Sequence, residues 1–133
     1  LSGPEPQRTI LENKIIDLVV SYPGSATIVR GLPVEKNIIP STNTIHFYNH
    51  LSSEELNTEA MKAEFIISRS GYSTVMDIAA LQKKSILIPT PGQTEQEYLA
   101  SHLMKKRFAF CVDQKDFSLL KNITEAKQFK YYK

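Results

Sequence analysis

The sequence has 133 residues, a formal charge of +2, 41% hydrophobic residues and one cysteine. That is enough chain to bury one core and too little for two domains of ordinary size. Lys and Arg are scattered apart from Lys105-Lys106-Arg107 and the tail 127–133, so nothing in the charge pattern calls for a nucleic acid partner. The single Cys111, set in the apolar run Phe108-Ala109-Phe110-Cys111-Val112, excludes an internal disulfide and points to a buried, unreactive thiol in a reducing, cytoplasmic setting. No apolar run approaches the roughly 20 residues of a membrane-spanning helix.

In chain order, Leu1-Ser2 reads as the end of a strand opening into the turn Gly3-Pro4-Glu5-Pro6. From Gln7 to Tyr22, Ile10, Ile15, Leu18 and Val19 recur close to helical spacing, and Pro23-Gly24 stops the helix. Ala26 to Arg30 and Thr44 to Tyr48 read as strands around a loop rich in Pro, Asn and Ser. Ser52-Ser53-Glu54-Glu55 has the polar cap and acidic first turn of a helix reaching about Met61. Phe65 to Ser68 and Ser85 to Pro89 are short apolar strands with a helix from Thr74 to Gln82 between them. Thr94 to Lys106 forms another helix, Ala109 to Val112 another strand, and the chain from Phe117 onward one or two short helices.

Strands alternating with helices predict an α/β fold, a doubly wound Rossmann-like parallel sheet flanked by helices. If Leu1-Ser2 counts as the first strand, the order 3-2-1-4-5-6 places it beside Phe65 to Ser68 at the switch point, where ligands bind. The turn from Gly3 through Arg8 and Thr9 is then expected beside Arg69-Ser70-Gly71, with two helix N-termini facing one pyrophosphate.

The segment from Ile66 to Ala100 carries most of the chemistry. It reads twice as strand, polar turn and helix: Ile66-Ile67-Ser68-Arg69-Ser70-Gly71-Tyr72-Ser73-Thr74-Val75-Met76-Asp77, then Ser85-Ile86-Leu87-Ile88-Pro89-Thr90-Pro91-Gly92-Gln93-Thr94-Glu95-Gln96. In the first turn Gly71 permits close backbone approach, and Ser73 and Thr74 stand where they can cap the helix while leaving N–H groups free for an anion. Asp77, one turn further on, either accepts from ribose hydroxyls or closes a capping box with Thr74. Glu95 and Gln96 offer hydrogen-bonding groups suited to a sugar, whereas Glu97 has capping-box spacing from Thr94. Arg69 is open to three readings: a phosphate ligand, a partner for a carboxylate on another domain, or a solvated strand-end charge. Arg8 and Thr9 are phosphate candidates, and Tyr48 is an aromatic at a strand end, a position often occupied by ordinary core. His46, His50 and His102 lack metal-ligand spacing and a nucleophile partner, so neither a metal site nor a catalytic triad is expected.

The run Arg69-Ser-Gly71-Tyr-Ser73-Thr74-Val-Met-Asp77, followed by Pro89 and Glu95-Gln96-Glu-Tyr-Leu-Ala100, resembles the donor-binding signature of GT-B glycosyltransferases, in particular the family 28 C-terminal domain. Leu99 stands where that pattern has Asn, and Asp77 where it has Glu. The resemblance implies a UDP-sugar as donor, no metal or other cofactor, and transfer of a hexosyl or N-acetylhexosaminyl group by inversion. It assigns donor contacts to Gly3, Arg8, Thr9, Tyr48, Arg69, Ser70, Gly71, Ser73, Thr74, Asp77, Glu95 and Gln96, and no catalytic base to this domain. On this view residues 1–133 are a nucleotide-sugar-binding fragment of a two-domain enzyme. The acceptor-binding N-terminal domain lies elsewhere, and any membrane association runs through it. Two other readings share the motif: a UDP-N-acetylglucosamine 2-epimerase-like domain, which usually follows Thr-Glu with Arg-Pro-Glu where this chain has Gln96-Glu97-Tyr98, and a noncatalytic donor-binding subunit docking on a membrane partner.

Overall fold

A computed structural model describes residues 1, 3–19 and 22–131 of the chain. They form two compact units, residues 1–62 and 63–133. The fold is α/β, with parallel strands flanked by helices.

In the first unit, α1 (Gln7–Val19) leads to β1 (Ala26–Val29), β2 (Ile45–Tyr48) and α2 (Ser53–Lys62). β1 and β2 pair in parallel, from Ala26 opposite Ile45 to Val29 opposite Tyr48. Leu11, Val19, Ile28, Ile45 and Leu51 are buried. α1 is described as far as Val19 and does not include Tyr22; Val20 and Ser21 lie outside the described residues. The cap expected ahead of α2 is a reciprocal capping box: the Ser52 N–H donates to Glu55 Oε1 at 3.0 Å, and the Glu55 N–H donates to Ser52 Oγ at 3.2 Å. These bonds hold the Glu55 carboxyl below its ordinary pKa.

The second unit runs β3 (Phe65–Ser68), α3 (Tyr72–Leu81), β4 (Lys84–Leu87), α4 (Thr94–Lys105), β5 (Phe110–Cys111), a 3-10 turn (Gln114–Asp116) and α5 (Leu119–Gln128). Its sheet is parallel in the order β3-β4-β5. The central strand and the residue after it are covered on both faces, with Ile86, Leu87 and Ile88 at 0%, 1% and 0% exposure. This is why that stretch reads as a continuous apolar run and not as an alternation. Val75 and Ile78 of α3 pack with Leu87 and Ala109, and Ile66, Leu99, Leu103, Phe108 and Cys111 close around them. The Cys111 thiol sits 3.0 Å from the Ala100 carbonyl oxygen, and burial pushes its pKa up to about 12. A thiol held protonated in this way is a weak nucleophile.

The pairings β1-β2 and β3-β4-β5 follow the neighbour order expected from the sequence, as a pair and a triple. The strand expected at Leu1-Ser2 includes Ser2, outside the described residues; the Leu1 amino group donates to the Val29 carbonyl at 2.8 Å. No helix among the described residues is long and apolar enough to cross a membrane.

Candidate functional site

β3 ends at Ser68, and the next two residues turn inward: Arg69 is 3% exposed and Ser70 0%. Gly71 then serves as the N-cap of α3 in extended conformation (φ −67°, ψ 146°), with no side-chain bond capping the helix. The first intrahelical bond runs from the Val75 N–H to the Gly71 carbonyl at 3.0 Å. The N–H groups of the first turn therefore keep their donor capacity, and the positive end of the helix dipole faces outward. A Cβ built on Gly71 meets nothing within 4 Å, so the space over this helix end is open.

This geometry corrects the sequence reading in one respect. Because Gly71 caps, α3 begins at Tyr72, and Ser73 and Thr74 lie within its first turn instead of preceding it. A capping box between Thr74 and Asp77 needs Thr74 at the N-cap, and it is not there. Asp77 is exposed, one turn into the helix. The same displacement affects α4: Gln93 is the N-cap and Thr94 the first helical residue, so the expected Thr94 and Glu97 box does not form.

The turn after β4 is fastened to the turn after β3. The Arg69 guanidinium donates through Nη1 to the carbonyls of Ile88 and Pro89, both at 3.3 Å, and through Nη2 to Gln114 Oε1 at 2.7 Å. Arg69 is thus no solvated strand-end charge, and burial lowers its pKa. Ser70 Oγ donates to the Gln96 carbonyl at 2.8 Å, and the Ile88 N–H to the Ser68 carbonyl at 2.8 Å. The Gln96 side chain closes its own loop, accepting the Thr90 N–H at 2.8 Å and donating to Gln93 Oε1 at 3.0 Å. Glu95 is exposed in the first turn of α4, beyond Gly92, whose φ of +84° suits a residue without a side chain. Gln114 was not singled out by the sequence, since it lies 45 residues from its partner and carries no motif of its own.

The remaining candidates belong to the first unit. Gly3 is exposed in the opening turn at φ +104°. Arg8 is 4% exposed and donates to Glu5 at 3.2 Å, to Glu12 at 2.9 Å, and to the Arg30 carbonyl and Thr9 Oγ1, both at 3.0 Å. Thr9 gives its N–H and hydroxyl to the Glu5 carboxylate. Arg30 binds Glu12 from the other side at 2.7 Å and reaches Asn49 Oδ1 at 2.9 Å. Burial alone lowers the Arg8 pKa, but hydrogen bonds and charge from Glu12 and Glu5 outweigh it and the net shift is upward. Glu12 mirrors this: burial raises its pKa, and Arg30 and Arg8 reverse the sign to a net lowering. Tyr48 closes β2 at 39% exposure, accepts the Arg30 N–H on its carbonyl at 2.8 Å, and borders a shallow cavity of about 270 Å³ with Leu51 and α2.

Comparison with known proteins bears on this arrangement. The profile of the glycosyltransferase family 28 C-terminal domain matches residues 53–132. Over 66 residues the chain is 35% identical to a UDP-N-acetylglucosamine--N-acetylmuramyl-(pentapeptide) pyrophosphoryl-undecaprenol N-acetylglucosamine transferase of Rhodopseudomonas palustris, a match covering 48% of this chain and 18% of that protein. The enzyme of the same description from Methylobacterium radiotolerans is 33% identical over 67 residues, covering 49% of this chain and again 18% of its own length. The chain thus corresponds to a small part of these relatives. Among solved structures, spinosyn forosaminyltransferase SpnP shares the fold at a TM-score of 0.60 and 11% identity, over 86% of this chain and 27% of that one. With the family profile spanning more than half of its residues, including both turns around Arg69 and Gln96, the chain belongs to the glycosyltransferase family 28 C-terminal domain family.

Proposed function

We propose that this chain is the donor-binding half of an inverting, GT-B-type glycosyltransferase that takes a hexosyl or N-acetylhexosaminyl group from a UDP-sugar in the cytoplasm. The observation that carries the reading is the uncapped N-terminus of α3 below open space at Gly71, fastened through Arg69 and Ser70 to the turn bearing Glu95 and Gln96. A helix N-terminus presents roughly half a positive charge and several N–H donors, which suits a diphosphate. In glycosyl transfer, negative charge develops on the departing nucleoside diphosphate. Donors already in place stabilise it without reorganisation and without calling for a metal ion.

In this reading Ser73 and Thr74 add hydroxyl donors to the phosphates, and Asp77, exposed one turn along, accepts from the ribose hydroxyls. Gln96 uses one lone pair of Oε1 on Thr90 and one N–H on Gln93. A primary amide has a second of each, available to sugar hydroxyls, with Glu95 as a further acceptor. The base that deprotonates the acceptor belongs to an acceptor-binding lobe, and so does any membrane association; the names of the relatives specify an undecaprenol-linked acceptor.

Titration of the 133-residue chain with UDP, GDP and dTDP tests the proposal. UDP is expected to bind with modest affinity, since one lobe leaves the ligand partly solvated. No sugar transfer is expected until an acceptor-binding lobe is supplied. Failure of every nucleotide to bind at millimolar concentration overturns the site, and transfer to an acceptor by this chain alone overturns the half-enzyme account.

A further inference from the structure

In a parallel sheet the loops that follow successive strands leave at the same edge, so the turns after β3, β4 and β5 are neighbours by topology. One buried guanidinium joins all three. Arg69 follows β3; its Nη1 donates to the carbonyls of Ile88 and Pro89, which follow β4; its Nη2 donates to Gln114, in the 3-10 turn that follows β5. The contact to Gln114 is the shortest of the three, 2.7 Å against 3.3 Å for each carbonyl, and Gln114 is itself 5% exposed. The five donors of a guanidinium form a rigid planar fork, so fixing Nη2 fixes the direction in which Nη1 points. Gln114 therefore aims Arg69, and Arg69 sets how far the β4-α4 turn stands from the β3-α3 turn. Ser70 adds a tie from its hydroxyl to the Gln96 carbonyl, and the Ile88 N–H adds another to the Ser68 carbonyl.

We infer that Gln114 is a positioning residue of the donor site, holding the α3 N-terminus and the Glu95-Gln96 turn at the separation between a diphosphate and the sugar it carries, without touching the ligand. The inference rests on the reading under Proposed function, in which the first turn meets the phosphates and the second the sugar. It separates two ligands. UDP needs only the first turn, so its binding is insensitive to the spacing. A UDP-sugar needs both turns in register, so its additional affinity depends on Gln114.

The test is titration of the full 133-residue chain with UDP and with UDP-N-acetylglucosamine, together with thermal melting. Gln114→Met keeps length and volume but removes the acceptor, and Gln114→Glu restores an acceptor that pairs with Arg69. The methionine variant is expected to bind UDP within about twofold of the parent and UDP-N-acetylglucosamine about tenfold more weakly, the scale of one lost hydrogen bond. The glutamate variant is expected to recover the discrimination. Equal weakening for both ligands reduces Gln114 to a stability role, and an unchanged ratio shows that it does not set the spacing; either result overturns the inference. If circular dichroism shows that the methionine variant does not fold, Gln114→Asn takes its place, keeping the amide one methylene short of Arg69, with the same two outcomes. If the parent chain itself does not distinguish the two ligands, the assignment of the second turn to the sugar fails and the inference fails with it. A parent that distinguishes them beside variants that do so equally well sinks the inference alone.

Discussion

Arg8 and Arg69 are buried to the same degree, 4% and 3% exposed, the one in the first turn of α1 and the other just after β3, yet they do opposite things with their charge. Arg8 lies between the carboxylates of Glu5 and Glu12, and Arg30 closes the cluster from the other side. Its charge is neutralised where it stands, and its pKa rises. Arg69 spends its donors on two main-chain carbonyls and the amide of Gln114, and burial lowers its pKa. The first arrangement is a closed polar knot that ties α1 to the end of β1. The second leaves a cation and an uncapped helix N-terminus within one turn of each other, beside the open space at Gly71. Burial of a charge therefore does not by itself mark a binding site; what marks one is how its partners distribute the charge.

The sharpest way to break this comparison is to cut the knot. Glu12→Ala leaves Arg8 and Arg30 without the carboxylate they share and is expected to cost about 3–5 kcal/mol, as removal of one member of a buried ion pair generally does. Denaturant unfolding measures it, and a loss below about 1 kcal/mol would show that the cluster is solvated in practice. The same group sets a pH dependence. The folded-state pKa of Glu12 lies below the ordinary 4.5, so its contribution is complete above that value and disappears as the pH falls through the lower folded-state value. Glu12→Gln should flatten the acid limb of the stability curve, and an acid limb identical to that of the parent would assign the dependence to other carboxylates.

On the open side, Asp77→Ala should leave melting unchanged, because the residue is exposed and caps nothing, while weakening UDP binding by about 1.5–3 kcal/mol, the range for a hydrogen bond to a charged group. A variant that melts earlier but binds UDP as well as the parent refutes the ribose role. The smallest effect is expected at Gln96→Ala, which strands the Thr90 N–H at a cost of about 1–2 kcal/mol in stability and removes discrimination between UDP-sugar and UDP, with affinity for UDP itself preserved. Parallel loss for both ligands would make Gln96 a loop brace only.

Much of this protein was written in local pattern. The short apolar runs at Phe65 to Ser68 and Ile86 to Ile88, separated by one helix-length segment, read as parallel strands, and the pairing of β3 with β4 follows, with Ile86 to Ile88 fully buried and Phe65 to Ser68 half-buried. The Ser52 to Glu55 cap was equally legible, because both of its bonds lie within four residues. The exact start of α3 was not. Tyr72-Ser73-Thr74 offers two side chains able to cap, and the choice of Gly71 was made by the inward turn of Arg69 and Ser70, which find their partners 19 to 45 residues away. The Arg8 knot escaped for the same reason: in sequence Arg8 is one of several basic residues, and only packing α1 beside β1 brings Glu12 and Arg30 together. Periodicity, and capping where both partners lie within one turn as at Ser52 and Glu55, are decided by near neighbours, so the sequence alone determines them. The orientation of a buried polar side chain is decided by whichever distant acceptor removes the cost of its desolvation, and only the tertiary structure supplies that acceptor.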